Sequence, residues 1–163
     1  MIITTELIKE LREKTGVSVM QCKVALEEAD GDISKAVAIL QAKSVEIAGK
    51  KGDRRLGAGT VASYIHASGT VGTMVELLCE TDFVGNNIDF KTLARDIAMH
   101  ATATNPEFLK SEDVKPGSES IALLDQQFIK NPELTITNLI QGATQKFGEK
   151  IELSRFVRFS ISE

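Results

Sequence analysis

The apolar residues of this chain keep two rhythms, and the change between them near residue 50 limits what the chain can fold into. Before it, aliphatic residues recur at the three- and four-residue intervals of helices; after it, residues 60–66 and 71–78 are dense in strand-forming types. The stretch between, residues 44–59, is charged and glycine-containing, with Gly49, Gly52, Gly57 and Gly59 around Lys50, Lys51, Asp53, Arg54 and Arg55. Such a stretch reads as a hinge or linker. The expected organisation is a three-helix domain over 1–50, a linker over 51–59 and an α+β core over 60–163.

Local signals place the three helices. Leu7, Ile8 and Leu11 form one strip, closed by Lys14-Thr15-Gly16 with a basic last turn and a terminal glycine. Ser18 with Gln21 three residues on makes a capping box, and Val17 and Cys22 can staple the turn. Asp30-Gly31 ends the second helix, and Asp32 caps a third whose inward face is Ile33, Ala36, Val37 and Leu40. Helices of about ten residues are marginal alone, so the three should share one small core. Met20 falls in the first turn of the second helix, away from the Cys22 and Leu26 line. Its soft, unbranched side chain suits either packing or an adaptable contact surface.

In the larger domain the two strands are joined by residues 67–70, a connection short enough for a hairpin. The second, rich in Val, Leu and Met, belongs inside a sheet covered by helices. Phe90, Leu93, Ala94, Ile97, Ala98 and Ala101 mark a helix from Asn87 to Thr102, capped by Asn87 or Asp89 and stopped at Asn105-Pro106. Residues 121–129 fit a strand, a helical turn or a pinned irregular segment. Thr135 or Thr137 starts a further helix, closed by Gly148. Residues 151–160 alternate as a strand, placing Ile151, Leu153, Val157 and Phe159 with Arg155 on one face. The fold class is α+β, with a small, mainly antiparallel sheet of at least three strands.

Between the second strand and the following helix lies Cys79-Glu80-Thr81-Asp82-Phe83-Val84-Gly85-Asn86-Asn87. Phe83 and Val84 stand there among residues that should face water. Such a pair is either tucked under the helix or offered to a partner, and interfacial aromatics carry about 2 kcal/mol or more each.

The residues suggest contact rather than bond chemistry. No phosphate-binding glycine loop, zinc-spaced cysteines or paired-histidine metal motif is present, and His66 and His100 are the sole histidines. No catalytic residue, metal ligand or cofactor is therefore expected. Residues 1–51 hold eight basic and eight acidic residues within a chain of net charge -4, so nucleic acid is not expected as a direct partner. Two distant cysteines, no span long and apolar enough for a membrane and no basic-then-apolar start point to a reduced, cytoplasmic setting.

Ordered motifs then resemble one family. They are Leu11-Arg12-Glu13-Lys14-Thr15-Gly16, Val19-Met20-Gln21-Cys22-Lys23-Val24-Ala25-Leu26, Glu76-Leu77-Leu78-Cys79-Glu80-Thr81-Asp82-Phe83-Val84, Leu93-Ala94-Arg95-Asp96-Ile97-Ala98-Met99-His100, Gln127-Phe128-Ile129, Phe147-Gly148-Glu149-Lys150-Ile151 and Arg155-Phe156-Val157-Arg158-Phe159. Together they resemble the elongation factor Ts family, guanine nucleotide exchange factors for elongation factor Tu. The resemblance implies an N-terminal domain similar to ubiquitin-associated domains that grips the G domain of Tu, with Met20 in a contact region. It also implies that Thr81, Asp82, Phe83 and Val84 meet Tu, with Phe83 wedged between G-domain helices so that magnesium and phosphate binding are disturbed. Gly85 and Asn86 depart from the family's usual Ala and basic residue. Longer members have two core subdomains where this chain has room for one, so the resemblance also implies a homodimer that completes the Tu-binding surface. The alternative is a protein-binding adaptor that does not promote exchange.

Overall fold

The computed structural model describes residues 2–162, which fall into two compact units. The first comprises the chain through Asp53 together with Gln141–Glu149; the second comprises Arg54–Ile140 and the residues from Lys150 onward.

In the first unit, α1 (Thr5–Thr15), α2 (Val19–Glu28) and α3 (Ile33–Lys50) surround a core of Leu11, Val17, Cys22, Ala25, Leu26, Ala29, Ala36 and Leu40. The expected punctuation is present. Gly16 takes a left-handed φ of 70° and its N–H donates to the Arg12 carbonyl, closing α1 as only glycine does without strain. Ser18 and Gln21 form the reciprocal capping box, and the Asp32 carboxylate accepts from the Lys35 N–H. α3 is longer than its apolar face alone indicates, because the helix runs on through a buried Ser44 whose hydroxyl donates back to the Gln41 carbonyl at 2.8 Å. It unwinds at Lys51 and Gly52, whose N–H groups reach only three residues back.

The second unit is built on an antiparallel sheet in the order β1-β2-β5, where β1 is Ala58–Ile65, β2 is Val71–Cys79 and β5 is Glu152–Ser160. A single helical turn, α4 (Asp82–Gly85), and then α5 (Ile88–Thr104) follow β2. α5 buries Phe90, Ala94, Ile97, Ala98 and Ala101. Its alanines permit close approach to the sheet, and the Thr102 hydroxyl donates to the Thr73 hydroxyl at 2.9 Å. Asn87, rather than Asp89, caps α5, accepting from the Asp89 N–H at 2.8 Å.

Residues 121–129 combine two of the forms open to them. A 3-10 turn at Leu123–Asp125 leads into β3 (Gln127–Phe128), which pairs with β4 (Asn131–Thr135) in a separate two-stranded sheet. α6 (Ile136–Phe147) follows, its start fixed by Thr135 and Asn138, each accepting from the other's N–H. His100 of α5 holds this segment. The Ile129 N–H donates to Nδ1, so the neutral ring carries its proton on Nε2 and donates to Gln126 Oε1 at 2.9 Å. Gln126 in turn donates to the Ile121 carbonyl.

Burial, opposed by the Gln126 hydrogen bond, pushes the His100 pKa below its ordinary value of 6.5. The folded state thus binds the proton less readily than the unfolded chain does. The stabilisation is complete above about pH 6.5 and is lost as pH falls from there through the lower folded value. Urea unfolding at pH 7.5 and pH 5.5 is expected to give an earlier midpoint at the lower pH, with the Ile129 amide among the first to lose exchange protection. Equal midpoints would contradict this role.

The last strand departs from the expected alternation. Glu76 pairs with Arg155 but Leu77 pairs with Leu153, leaving Ser154 as an extra residue in β5. This bulge inverts every side chain beyond it. Leu153 and Phe156 therefore both lie on the α5 side, opposite Leu77 and Val75, while Arg155, Val157 and Phe159 turn to the other side. Expecting Leu153 and Phe159 on one face assumed unbroken pairing. β2 is likewise covered by α5 on one face only, so Met74 on its other face is exposed.

Candidate functional site

The turn after β2 is held from several directions. The Glu80 carboxylate accepts from the Lys150 N–H at 2.9 Å and pairs with Arg54 at 3.4 Å, tying the end of β2 to the segment that leads into β1 and to the approach to β5. Cys79 is buried, its thiol donating to the Thr81 carbonyl at 3.2 Å. The Gly85 N–H then donates to the Thr81 carbonyl and that of Asn86 to Asp82, which closes one helical turn.

Within that turn, neighbours face opposite ways. Val84 is only 8% exposed and Gly85 is buried, whereas Phe83 is 90% exposed. A Cβ at Gly85 would lie 3.2 Å from the Gly59 carbonyl oxygen, so the absence of a side chain lets the turn rest on the β1 backbone. Thr81 and Asp82 are exposed. Asp82, Phe83, Asn86 and Asn87 line a shallow hollow of about 270 Å³. Of the four residues named for this site, three present surface and Val84 serves as an anchor from below.

Met20 belongs to the first unit and is 67% exposed. One helical turn on, Val24 of α2 shares its side, and with Lys43, Glu46 and Ile47 of α3 they border a groove of about 340 Å³. Gln145 of α6 also lines it. Nothing in the local sequence marks Gln145 for this place, since its neighbours there lie about 100 or more positions away.

Two carboxylates of β2 and its end are already engaged. Glu80 is held as described, and Glu76 accepts from the Ser154 hydroxyl at 2.6 Å and pairs with Arg155 at 3.1 Å. The Ser154 hydrogen bond, then Arg155, keeps Glu76 ionised below the usual carboxylate range. Among the described residues, no group of three or more His, Cys, Asp or Glu is placed to hold a metal ion. No helix among them is long and apolar enough to cross a membrane. What the turn offers is a rigidly mounted aromatic ring with polar groups around it, a surface suited to gripping a macromolecule.

Comparison with known proteins identifies the family. The family model described as "Elongation factor TS" matches residues 50–118, a span that includes the turn and α5. The chain is 40% identical to elongation factor Ts of Carboxydothermus hydrogenoformans, with 99% of this chain and 90% of that protein covered. It is 41% identical to elongation factor Ts of Thermodesulfovibrio yellowstonii, over 100% and 98%, and 39% identical to that of Heliobacterium modesticaldum, over 99% and 91%. The chain belongs to the elongation factor Ts family. Those alignments run over 196 positions while this chain has 163 residues, so the relatives carry internal residues it lacks.

Proposed function

We propose that this protein is a guanine nucleotide exchange factor for elongation factor Tu, acting in the cytoplasm without covalent chemistry. The observation that carries the reading is the Phe83 ring, 90% exposed on a turn whose Val84 and Gly85 are buried and whose base is tied by Glu80. An exposed ring on a rigid mount loses little freedom on docking, so its burial contributes almost fully to binding. By the family resemblance, Phe83 wedges between helices of the Tu G domain and weakens the hold on magnesium and phosphates. Thr81 and Asp82 flank the wedge, Val84 supports it, and Met20 makes a separate contact. Coupling of this kind is reciprocal: a partner that disfavours nucleotide is itself expelled when nucleotide returns.

The direct test is release of fluorescent GDP from Tu with and without this chain. Acceleration that saturates with concentration is expected. Stable association with no acceleration would instead define a Tu-binding adaptor, and neither would remove the reading altogether.

A second part of the proposal is that two copies pair through the uncovered sheet face. Cross-strand rows place Ile65, Gly72 and Phe159 together, then Ser63, Met74 and Val157, then Val61, Glu76 and Arg155. Val61, Ile65, Met74, Val157 and Phe159 are all exposed there, an apolar expanse on one side of a three-stranded sheet. Such a face can pack on its own copy by two-fold symmetry, as sheets stack in sandwiches.

A further inference from the structure

Gln145 is 7% exposed, and its amide nitrogen is shielded from solvent with no hydrogen-bond acceptor among the described residues. Buried donors are almost always satisfied, and leaving one orphaned lowers stability. An apolar residue would fit the site without that loss. Gln145 also lines the groove bordered by Met20 and Val24 of α2 and Lys43 and Ile47 of α3, the part of the first unit already assigned to partner contact. Where a chain breaks a local rule without compensation, function is the first place to look for the reason.

We infer that Gln145 is a specificity-determining residue of the Tu-docking surface, its amide donating to a carbonyl or carboxylate oxygen of the G-domain segment that covers Met20. The inference rests on the exchange reading and adds to it a contact supplied from the far end of the chain. An oxygen acceptor is required because the orphaned atom is a donor. The remaining walls fit that chemistry: Met20, Val24 and Ile47 present apolar area for a side chain. Lys43, although paired with Glu28 at 2.8 Å, adds positive charge at the rim. In the free protein the donor is sealed from water. Rotation about the Gln145 side-chain torsions brings it to the groove when an acceptor arrives, and the groove is then closed over by the partner. A hydrogen bond made in such a desolvated place discriminates strongly against partners that lack the acceptor.

The test compares the parent protein with Gln145→Met, which preserves length and flexibility but removes the donor, and with Gln145→Glu, which keeps the shape and substitutes an acceptor. Melting temperature is read alongside titration of fluorescent-GDP release from Tu. Gln145→Met is expected to melt about 2–4 °C higher, because the orphan is gone. The same variant should need about five- to tenfold more protein for half-maximal release, with the maximal rate at saturation unchanged because Phe83 remains. Gln145→Glu should weaken docking more than Gln145→Met does. A residue that merely supports the fold would lower stability and docking together, and that joint loss would overturn the inference. So would a stabilised Gln145→Met with unaltered half-saturation, which would mark the orphan as a packing defect. Absence of Tu association by the parent protein itself would reject the exchange reading, and this contact with it, and is distinguishable from both outcomes.

Discussion

Phe83→Ala is expected to leave the melting temperature within about 2 °C of the parent, since a surface truncation changes stability by about 0.5 kcal/mol or less. It should nevertheless raise the concentration of protein needed to release GDP from Tu by about 30-fold, the equivalent of about 2 kcal/mol for an interfacial aromatic. Because the ring is expected to act on the nucleotide site itself, the maximal release rate should fall as well. The adjacent residue supplies the contrast. Val84→Ala removes a side chain that is 8% exposed and should cost about 1–2 kcal/mol of stability, because the cavity it leaves is small but interior. On the proposed reading the two neighbours would divide the work, one gripping the partner and the other holding the grip in place. If the Phe83→Ala protein releases GDP as the parent does at every concentration, the wedge is not the active element.

Replacing Phe159 and Val157 together by Ser should convert a two-chain assembly into single chains at micromolar concentration. Each copy would contribute the same patch to a two-fold interface, so every loss counts twice. Burying one large apolar side chain is worth about 1.5–3 kcal/mol, which makes Phe159 alone worth about 3–6 kcal/mol per pair, or more than about 100-fold in dissociation constant. Phe159 is 75% exposed and sits in the row whose central position is Gly72. The Ile65 side chain folds over that glycine, and Ile65, Met74 and Phe159 border a hollow where a facing sheet can interdigitate. Sedimentation or light-scattering mass against concentration reads the change, and circular dichroism checks that β5 still forms. A parent protein that is a single chain throughout the micromolar range while fully active in exchange would refute pairing.

The pairing face and the wedge differ in how they could be read from residues. Phe83 stands out locally, as an aromatic in a polar connection, and its exposure then follows from a turn only four residues long. Phe159 looks like a core residue by alternation, and only the extra Ser154 in β5 turns it outward. No pattern within β5 announces that bulge, because it is defined against Glu76 and Leu77 on another strand, more than 70 positions away.

The same division runs through the chain. Caps, helix starts and the β1–β2 hairpin were settled by residues within a few positions of one another: Ser18 with Gln21, Asp32 with Lys35, Asn87 with Asp89. Those interactions form within a turn, so the local sequence determines them whatever the rest does. The resemblance to one family was also legible, being a matter of ordered motifs. What only the tertiary structure decided was set by meetings between distant segments: the face Phe159 occupies, the 121–129 segment pinned by His100, the Glu80 carboxylate claimed by Lys150, and Gln145 beside Met20. Each depends on which surfaces the packed chain brings together, and that is fixed by burial of the whole core rather than by any neighbouring residue.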